Sequence, residues 1–334
     1  MKIAVIGSGG WGTALALLLH SNGHDITLWS YSKEESENLR NTLENPFLKG
    51  VPIPADLYFT SDPACVAGQQ VIVMATPSFA VRNTARMVAP YLEPDVLLVS
   101  VTKGIEAKTG KRMSEIIAEE TGKAVTALSG PSHAEEVGRG IPTGVVAACP
   151  DASMSHRVQD IFMNERFRVY TSPDIVGVEL SGALKNVIAL CAGVCDGMNF
   201  GDNTKALMMT RGLTEVARLG MALGSRHETF AGLAGVGDLI VTCTSMHSRN
   251  HRAGILIGQG KDVETAMREV GSVVEGYYAA QSAKMLAEKV GVEMPIMTAT
   301  YQVLYEGRDV NEAVHELLRR KKTHEIEDAG WVKA

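Results

Sequence analysis

The stretch KIAVIGSGGWGTALALLLH, residues 2–20, decides the fold. A strand-type run, Lys2–Ile6, leads directly into Gly7-Ser8-Gly9-Gly10-Trp11-Gly12, and a helix-type run, Trp11–Ser21, leaves it. This is G-x-G-x-x-G with a strand before it and a helix after it, the setting in which the motif cradles a dinucleotide. Gly7 permits the tight turn, Gly9 lets the backbone approach a pyrophosphate, and Gly12 lets helix and strand close on one another. The helix start offers free N–H groups and the positive end of the helix dipole to the anion. A P-loop is disfavoured, because Thr13 and not Lys follows Gly12. A glycine turn with no ligand is the competing reading, and the strand–turn–helix context argues against it.

Outward from the turn, short β-type runs alternate with helical ones. Strands are expected at Asp25–Trp29, Val71–Ala75, Val96–Val101, Ala124–Leu128 and Thr143–Ala148, with helices at Ser78–Ala89 and Lys111–Glu120 among them. Continuous apolar runs of this length suit strands buried on both faces of a parallel sheet. After Pro173 strand signals stop. Helices are expected at Ile175–Cys195, Thr204–Leu223, Gly276–Val290, Pro295–Glu306 and Asn311–Arg320. Asp309 with Glu312 reads as a capping-box-like start and Gly224 as a helix stop. The fold class is α/β: a Rossmann-like, doubly wound, mostly parallel sheet over residues 1–172, then an all-helical domain over 173–334. The tail after Arg320 is polar and is expected to end in loose structure.

Composition agrees with this and narrows the partners. At 334 residues the chain exceeds a usual single core, and 45% hydrophobic with 21% charged residues is ordinary globular usage. A net charge of −6 argues against nucleic acid as a general partner. No uninterrupted apolar run reaches the roughly 20 residues that span a bilayer, so no membrane span is expected. The opening MKIAVIG breaks at Gly7, too early for a signal peptide. Five cysteines without a CxxC fit free thiols in a reducing compartment, so a cytoplasmic protein is expected.

The second expected strand ends in Trp29-Ser30-Tyr31-Ser32-Lys33, with neither the acid that would take ribose hydroxyls nor an Arg for a 2′-phosphate. A missing carboxylate removes a repulsion, and Ser32 and Lys33 could contact a 2′-phosphate, so the strand end leans towards NADP(H), or use of both NADP(H) and NAD(H). In the helical half, Glu179 and Lys185 are the charged residues between Val176 and Cys195. Lys185 on so apolar a helix is either snorkelling outward or desolvated, and desolvation would bring its pKa towards working pH for proton exchange with an alcohol or carbonyl oxygen. Ser248-Arg249-Asn250 at a helix start can hold an anion, Arg forking onto a phosphate; a solvated polar turn is the alternative. Cys243, His247 and His251 stand at i, i+4 and i+8 on a possible helix, but no Glu of an HExxH and no fourth ligand accompany them, so no metal is expected.

Taken together, GSGGWGTALA, VTKGIE around Lys103, SGPSHAEE from Ser129, GALKNVIA around Lys185, AGVGDLIVTC, SRN and VVEGY around Glu275 resemble bacterial NAD(P)-dependent glycerol-3-phosphate dehydrogenases over almost the whole chain. The resemblance implies reversible reduction of dihydroxyacetone phosphate to sn-glycerol 3-phosphate for glycerophospholipid synthesis, in a homodimer. It makes Lys185 the proton donor or acceptor, with Lys103, Asp238 and Thr242 beside it. It puts Gly130, Ser132, Ser248, Arg249 and Asn250 with Lys103, Lys185 and Asp238 on the substrate. Gly7, Gly9, Gly10, Trp11, Gly12, Tyr31, Ser32, Lys103, Ala134, Arg249, Val273 and Glu275 fall on cofactor positions. Two departures stand out: Gly10 occupies a place where the family often has Ser, and no Arg or His lies near Tyr31. Two rivals stay open: another dehydrogenase of the same layout, acting on a hydroxyacid or hydroxyacyl thioester, and a silent NAD(P)-binding sensor needing neither Lys185 nor the phosphate clamp.

Overall fold

The computed structural model describes residues 1–322, 324 and 325. The first half runs β1 (Lys2–Ile6), α1 (Gly10–Ser21), β2 (Asp25–Trp29), α2 (Lys33–Thr42), β3 (Tyr58–Thr60), β4 (Val71–Met74), α3 (Val81–Val88), β5 (Leu97–Ser100) and α4 (Met113–Thr121). It continues through β6 (Val125–Ser129), α5 (Ala134–Gly138), β7 (Thr143–Ala148), α6 (Ala152–Phe162) and β8 (Phe167–Ser172). The eight strands form one sheet in the order β3-β2-β1-β4-β5-β6-β7-β8, parallel throughout except where β7 runs against β6. The order reverses between β1 and β4. In such sheets ligands sit at that switch point, beyond the carboxyl ends of the strands.

The central strands β4, β5 and β6 are buried at every residue, as their unbroken apolar runs require of a sheet covered on both faces. Strands β3 and β8 carry no comparable run, and sequence reading passed over both. They are the two sheet edges: β3 is three residues long, and β8 alternates buried Phe167 and Val169 with exposed Arg168 and Tyr170. An edge strand has one solvated side, so apolarity alone does not mark it. Other boundaries moved by one to three residues; the run from Ser78 divides into a 3-10 turn, Ser78–Ala80, and α3.

The second half is helical: α7 (Ile175–Gly197), α8 (Gly201–Ala222), α9 (His227–Phe230), α10 (Asp238–Thr244), α11 (Arg249–Gly258), α12 (Val263–Val270), α13 (Glu275–Val290), α14 (Pro295–Tyr305) and α15 (Val310–Leu318). Asp309 caps α15 by accepting from the Asn311 and Glu312 amides, and Gly224, just past α8, has φ +90°. The tail after Arg320 lies largely outside the described residues.

Helix α7 is the axis of this half. By length and mean composition it could cross a bilayer, but Glu179 and Lys185 interrupt its apolar run, and here it is a core helix, buried from Gly177 to Cys195. Asp174 fixes its start, accepting from the Gly177 amide at 2.9 Å, the Arg226 amide at 2.9 Å and the Thr229 hydroxyl at 2.6 Å. Its closest partner is α11, and glycines set the distance. A Cβ on Gly193 would lie 2.1 Å from the His251 carbonyl oxygen, and one on Gly254 2.0 Å from that of Leu190. Gly197 and Gly258 make the same kind of approach one turn on. Four missing side chains let the two backbones touch, which brings the start of α11 beside the middle of α7.

Candidate active site

The glycine turn has the shape its residues imply. Gly7 holds φ +121°, and a Cβ there would meet the Ala75 carbonyl oxygen at 2.8 Å. A Cβ on Gly12 would lie 1.9 Å from the Gly7 carbonyl oxygen, so α1 seats directly on the turn. Gly9 faces open space, with nothing within 4 Å of where its Cβ would be. It is also the N-cap of α1 with no side chain bound to the first-turn amides. Open backbone at an uncapped helix start fits a dinucleotide pyrophosphate. Gly10, where the family often has Ser, has a local reason: its Cβ would sit 2.6 Å from the carbonyl oxygen of Phe47, in the loop that runs over the turn. Asn45 ties that loop down by donating to the Ser8 carbonyl at 2.8 Å and the Thr13 hydroxyl at 2.6 Å. Ala134, at the start of α5, lies 3.7 Å from the same Gly10 position.

Beyond the ends of β5 and β6 the chain meets the helical half. Lys103 follows β5 and donates to the Gly130 carbonyl at 2.9 Å and to Asp238 Oδ2 at 2.7 Å. Lys185, in the middle of α7 and only 6% exposed, donates to Asp238 Oδ1 and to Thr242 Oγ1, each at 2.5 Å. Thr242 in turn donates to the Asp238 backbone carbonyl at 2.6 Å, which aims its lone pairs at Lys185. Lys185, Lys103, Asp238, Thr242 and Gly130 are therefore brought together from four elements. Ser132 joins through its own bond to the Gly130 carbonyl at 2.9 Å. Gly130 has φ +152° and a Cβ there would strike Val145 Cα at 2.9 Å, so only glycine turns the chain so that its carbonyl faces Lys103.

Two ammonium groups share one carboxylate, which leaves an excess positive charge. Burial pushes the Lys185 pKa down to about 8; the Lys103 charge lowers it further and Asp238 opposes the shift. Desolvation, with the two lysines, also lowers the pKa of His133, whose Nε2 lies 3.3 Å from the Val241 carbonyl and whose ring stands 5.7 Å from that of His247.

Helix α11 starts beside this cluster. Ser248 is its N-cap and accepts from the His251 amide, so Arg249 and Asn250 form the first turn, with Arg249 exposed and Asn250 buried. Asn250 is anchored on both sides, donating to Asn186 Oδ1 at 3.0 Å and accepting from the Gly276 amide at 2.8 Å. A helix N-terminus with a free arginine on its first turn is an anion site. Glu275 starts α13 and accepts from the Ser78 hydroxyl at 2.6 Å; burial raises its pKa, and the charge of Arg249 opposes that rise. Val273 is half-buried in the turn before α13.

Three expectations change in three dimensions. Cys243, His247 and His251 do not share a helix, because α10 ends at Thr244 and α11 begins at Arg249. His251 instead bonds Asp196 at 2.8 Å, Cys243 is buried, and the described residues hold no group of metal ligands. Ser32 is occupied as the N-cap of α2, accepting from the Glu35 amide, while Tyr31 beside it is 84% exposed. The strand end does lack an acid, but a carboxylate arrives from α2: Glu35 Oε1 accepts from the Ser8 hydroxyl at 2.7 Å. Sequence reading also passed over Ser78, Asn186 and Asn45. Asn186 was findable as the polar neighbour of Lys185; Ser78, opening a 3-10 turn, and Asn45, in a loop, have nothing local that marks them.

An uncapped glycine turn at the switch point of a Rossmann-like sheet, with a desolvated lysine across the cleft, defines a pyridine-nucleotide-linked dehydrogenase. Comparison with known proteins narrows the class. Residues 2–155 match the N-terminal model, and residues 174–315 the C-terminal model, of NAD-dependent glycerol-3-phosphate dehydrogenase. The chain belongs to that family. A glycerol-3-phosphate dehydrogenase [NAD(P)+] of Moorella thermoacetica is 52% identical over 332 residues, 99% of each chain, and one of Fusobacterium nucleatum is 51% identical over 98% of this chain and 99% of that one. The crystal structure of glycerol-3-phosphate dehydrogenase from Coxiella burnetii superposes with a TM-score of 0.92 at 37% identity, covering 95% of this chain and 98% of that one.

Proposed function

We propose that this chain reversibly reduces dihydroxyacetone phosphate to sn-glycerol 3-phosphate with NAD(P)H, and that Lys185 exchanges the proton. The observation that carries the assignment is the buried Lys185 ammonium, held by Asp238 and Thr242 a short distance from a helix start suited to a phosphate. The bound nicotinamide supplies or takes the hydride. Ser248, Arg249 and Asn250 hold the substrate phosphate, which fixes the carbonyl in one place; such positioning is worth several kcal/mol of the barrier. In the reduction Lys185 gives its proton to the oxygen on which negative charge develops. Lys103 adds a second positive charge near that oxygen, and Asp238 keeps both lysines aimed. Gly130 and Ser132 line the substrate. Gly7, Gly9, Gly10, Trp11, Gly12, Tyr31, Ser32, Ala134, Val273 and Glu275 line the dinucleotide, with Lys103 and Arg249 reaching both ligands.

In this reading residues 1–172 bind the dinucleotide and residues 173–334 supply the catalytic and phosphate-binding groups. The last strand ending at Ser172 and the catalytic helix starting at Ile175 support that division. Work as a cytoplasmic homodimer in glycerophospholipid synthesis follows from the family resemblance.

Two measurements test the site. Replacing Arg249 by Ala should raise the KM for dihydroxyacetone phosphate about tenfold or more, because a charge-assisted bond to phosphate is worth about 1.5–3 kcal/mol. Turnover of phosphate-free dihydroxyacetone should hardly change. An unaltered KM for the phosphorylated substrate would remove Arg249 from the clamp. The pH profile tests Lys185. Reduction needs the ammonium, so its kcat/KM should fall as pH rises through about 8, and the kcat/KM of oxidation, which needs the neutral amine, should fall as pH drops through the same value. Parallel profiles in the two directions would count against proton exchange by Lys185.

A further inference from the structure

We infer that Glu35 is the residue by which this enzyme chooses between its two possible cofactors, and that it selects NADH over NADPH. In a sheet of this type the adenosine ribose lies between the glycine turn and the end of the second strand, where an acid accepts from its hydroxyls and a 2′-phosphate must be matched by a cation. Here β2 ends in Trp29-Ser30-Tyr31, with neither. The carboxylate comes from the next helix instead. Ser32 caps α2 by accepting from the Glu35 amide at 3.1 Å, which fixes the first helical turn that carries Glu35. Glu35 Oε1 then accepts from the hydroxyl of Ser8, the buried residue between Gly7 and Gly9. Ser8 is itself held, since its carbonyl takes the Asn45 amide. The carboxylate is thus fixed against the glycine turn on its β2 side.

The surrounding charges reinforce it. The first turn of α2 also carries Glu34, so the amides that could attract a phosphate lie among acids. Lys33, the nearest cation in sequence, is directed to Glu37 at 3.5 Å and is almost fully exposed. Arg40 is committed to the Phe59 carbonyl at 2.5 Å. A 2′-phosphate would meet a fixed negative charge while Lys33 and Arg40 face other partners, whereas a 2′-hydroxyl would find an acceptor. This is the reverse of the lean the strand end alone suggests.

The inference rests on the glycine turn being the dinucleotide site, and the test separates the two. Binding of NADH and NADPH is measured by titration calorimetry, without substrate, on the wild-type protein and on Glu35→Gln and Glu35→Ser, with the melting temperature of each. The wild-type protein should bind NADH at least about tenfold more tightly than NADPH, the size expected of one nearby like charge in a partly solvated site. Both variants should melt near wild type, bind NADPH about tenfold more tightly than wild type does, and gain nothing for NADH. Equal wild-type affinities, or an unchanged preference in two folded variants, would overturn the role of Glu35 while leaving the site intact. Failure of both nucleotides to bind would overturn the site itself, and the inference with it.

Discussion

Replacing Lys185 by Ala should lower kcat in both directions by at least about two orders of magnitude, the range lost with a general acid–base group. The loss is expected to be large because Lys185 does two things at once. It holds the proton that the substrate oxygen needs, and its charge faces the place where negative charge develops. Burial pushes its pKa down to about 8, so near neutral pH the ammonium gives up a proton far more readily than a solvated lysine does. Lys103 cannot stand in, since its ammonium is tied to the Gly130 carbonyl and to the far oxygen of Asp238. NADH binding and the melting temperature should change little, because the dinucleotide turn belongs to the sheet. Turnover near the wild-type rate, with both ligands still binding, would end the assignment.

The second large effect lies away from the chemistry. Gly254→Ala should destabilise the protein by about 3 kcal/mol or more, at the upper end of overpacking costs, because the added methyl would sit 2.0 Å from the Leu190 carbonyl oxygen. For a chain of 334 residues that is a fall in melting temperature of about 4 °C. Neither side can give: the obstacle is backbone of α7, and α7 is enclosed in the core. The helices must separate, and that moves the start of α11 away from Lys185, so the KM for dihydroxyacetone phosphate should rise as well. A variant that melts with the wild-type protein and keeps its KM would show that the α7–α11 contact is slack.

These two expectations differ in how far they could be read from the chain. Lys185 stood out as a charge on an apolar helix, but whether it pointed outward or inward was open. Asp238 and Thr242, 53 and 57 residues away, settle it by meeting the ammonium, and only folding brings them there. The α7–α11 glycines were legible only as spacing, Gly193 and Gly197 four apart and Gly254 and Gly258 four apart, because a glycine inside a helix reads first as a local weakness. Their purpose exists only when the opposing backbone is in place.

The sequence by itself determined the elements that depend on local or periodic chemistry. These are the glycine turn at Gly7–Gly12, the buried central strands, the long helices after Pro173 and the capped start at Asp309. Each follows from steric freedom, apolar periodicity or an orphan amide within a few residues. Tertiary structure decided what depends on distance: the two edge strands, the single carboxylate shared by Lys103 and Lys185, and the separation of His247 and His251 from Cys243. It also decided the acid at the cofactor turn. Reading along β2 finds none, because Glu35 belongs to the next helix, and its carboxylate meets the Ser8 hydroxyl only in the folded chain.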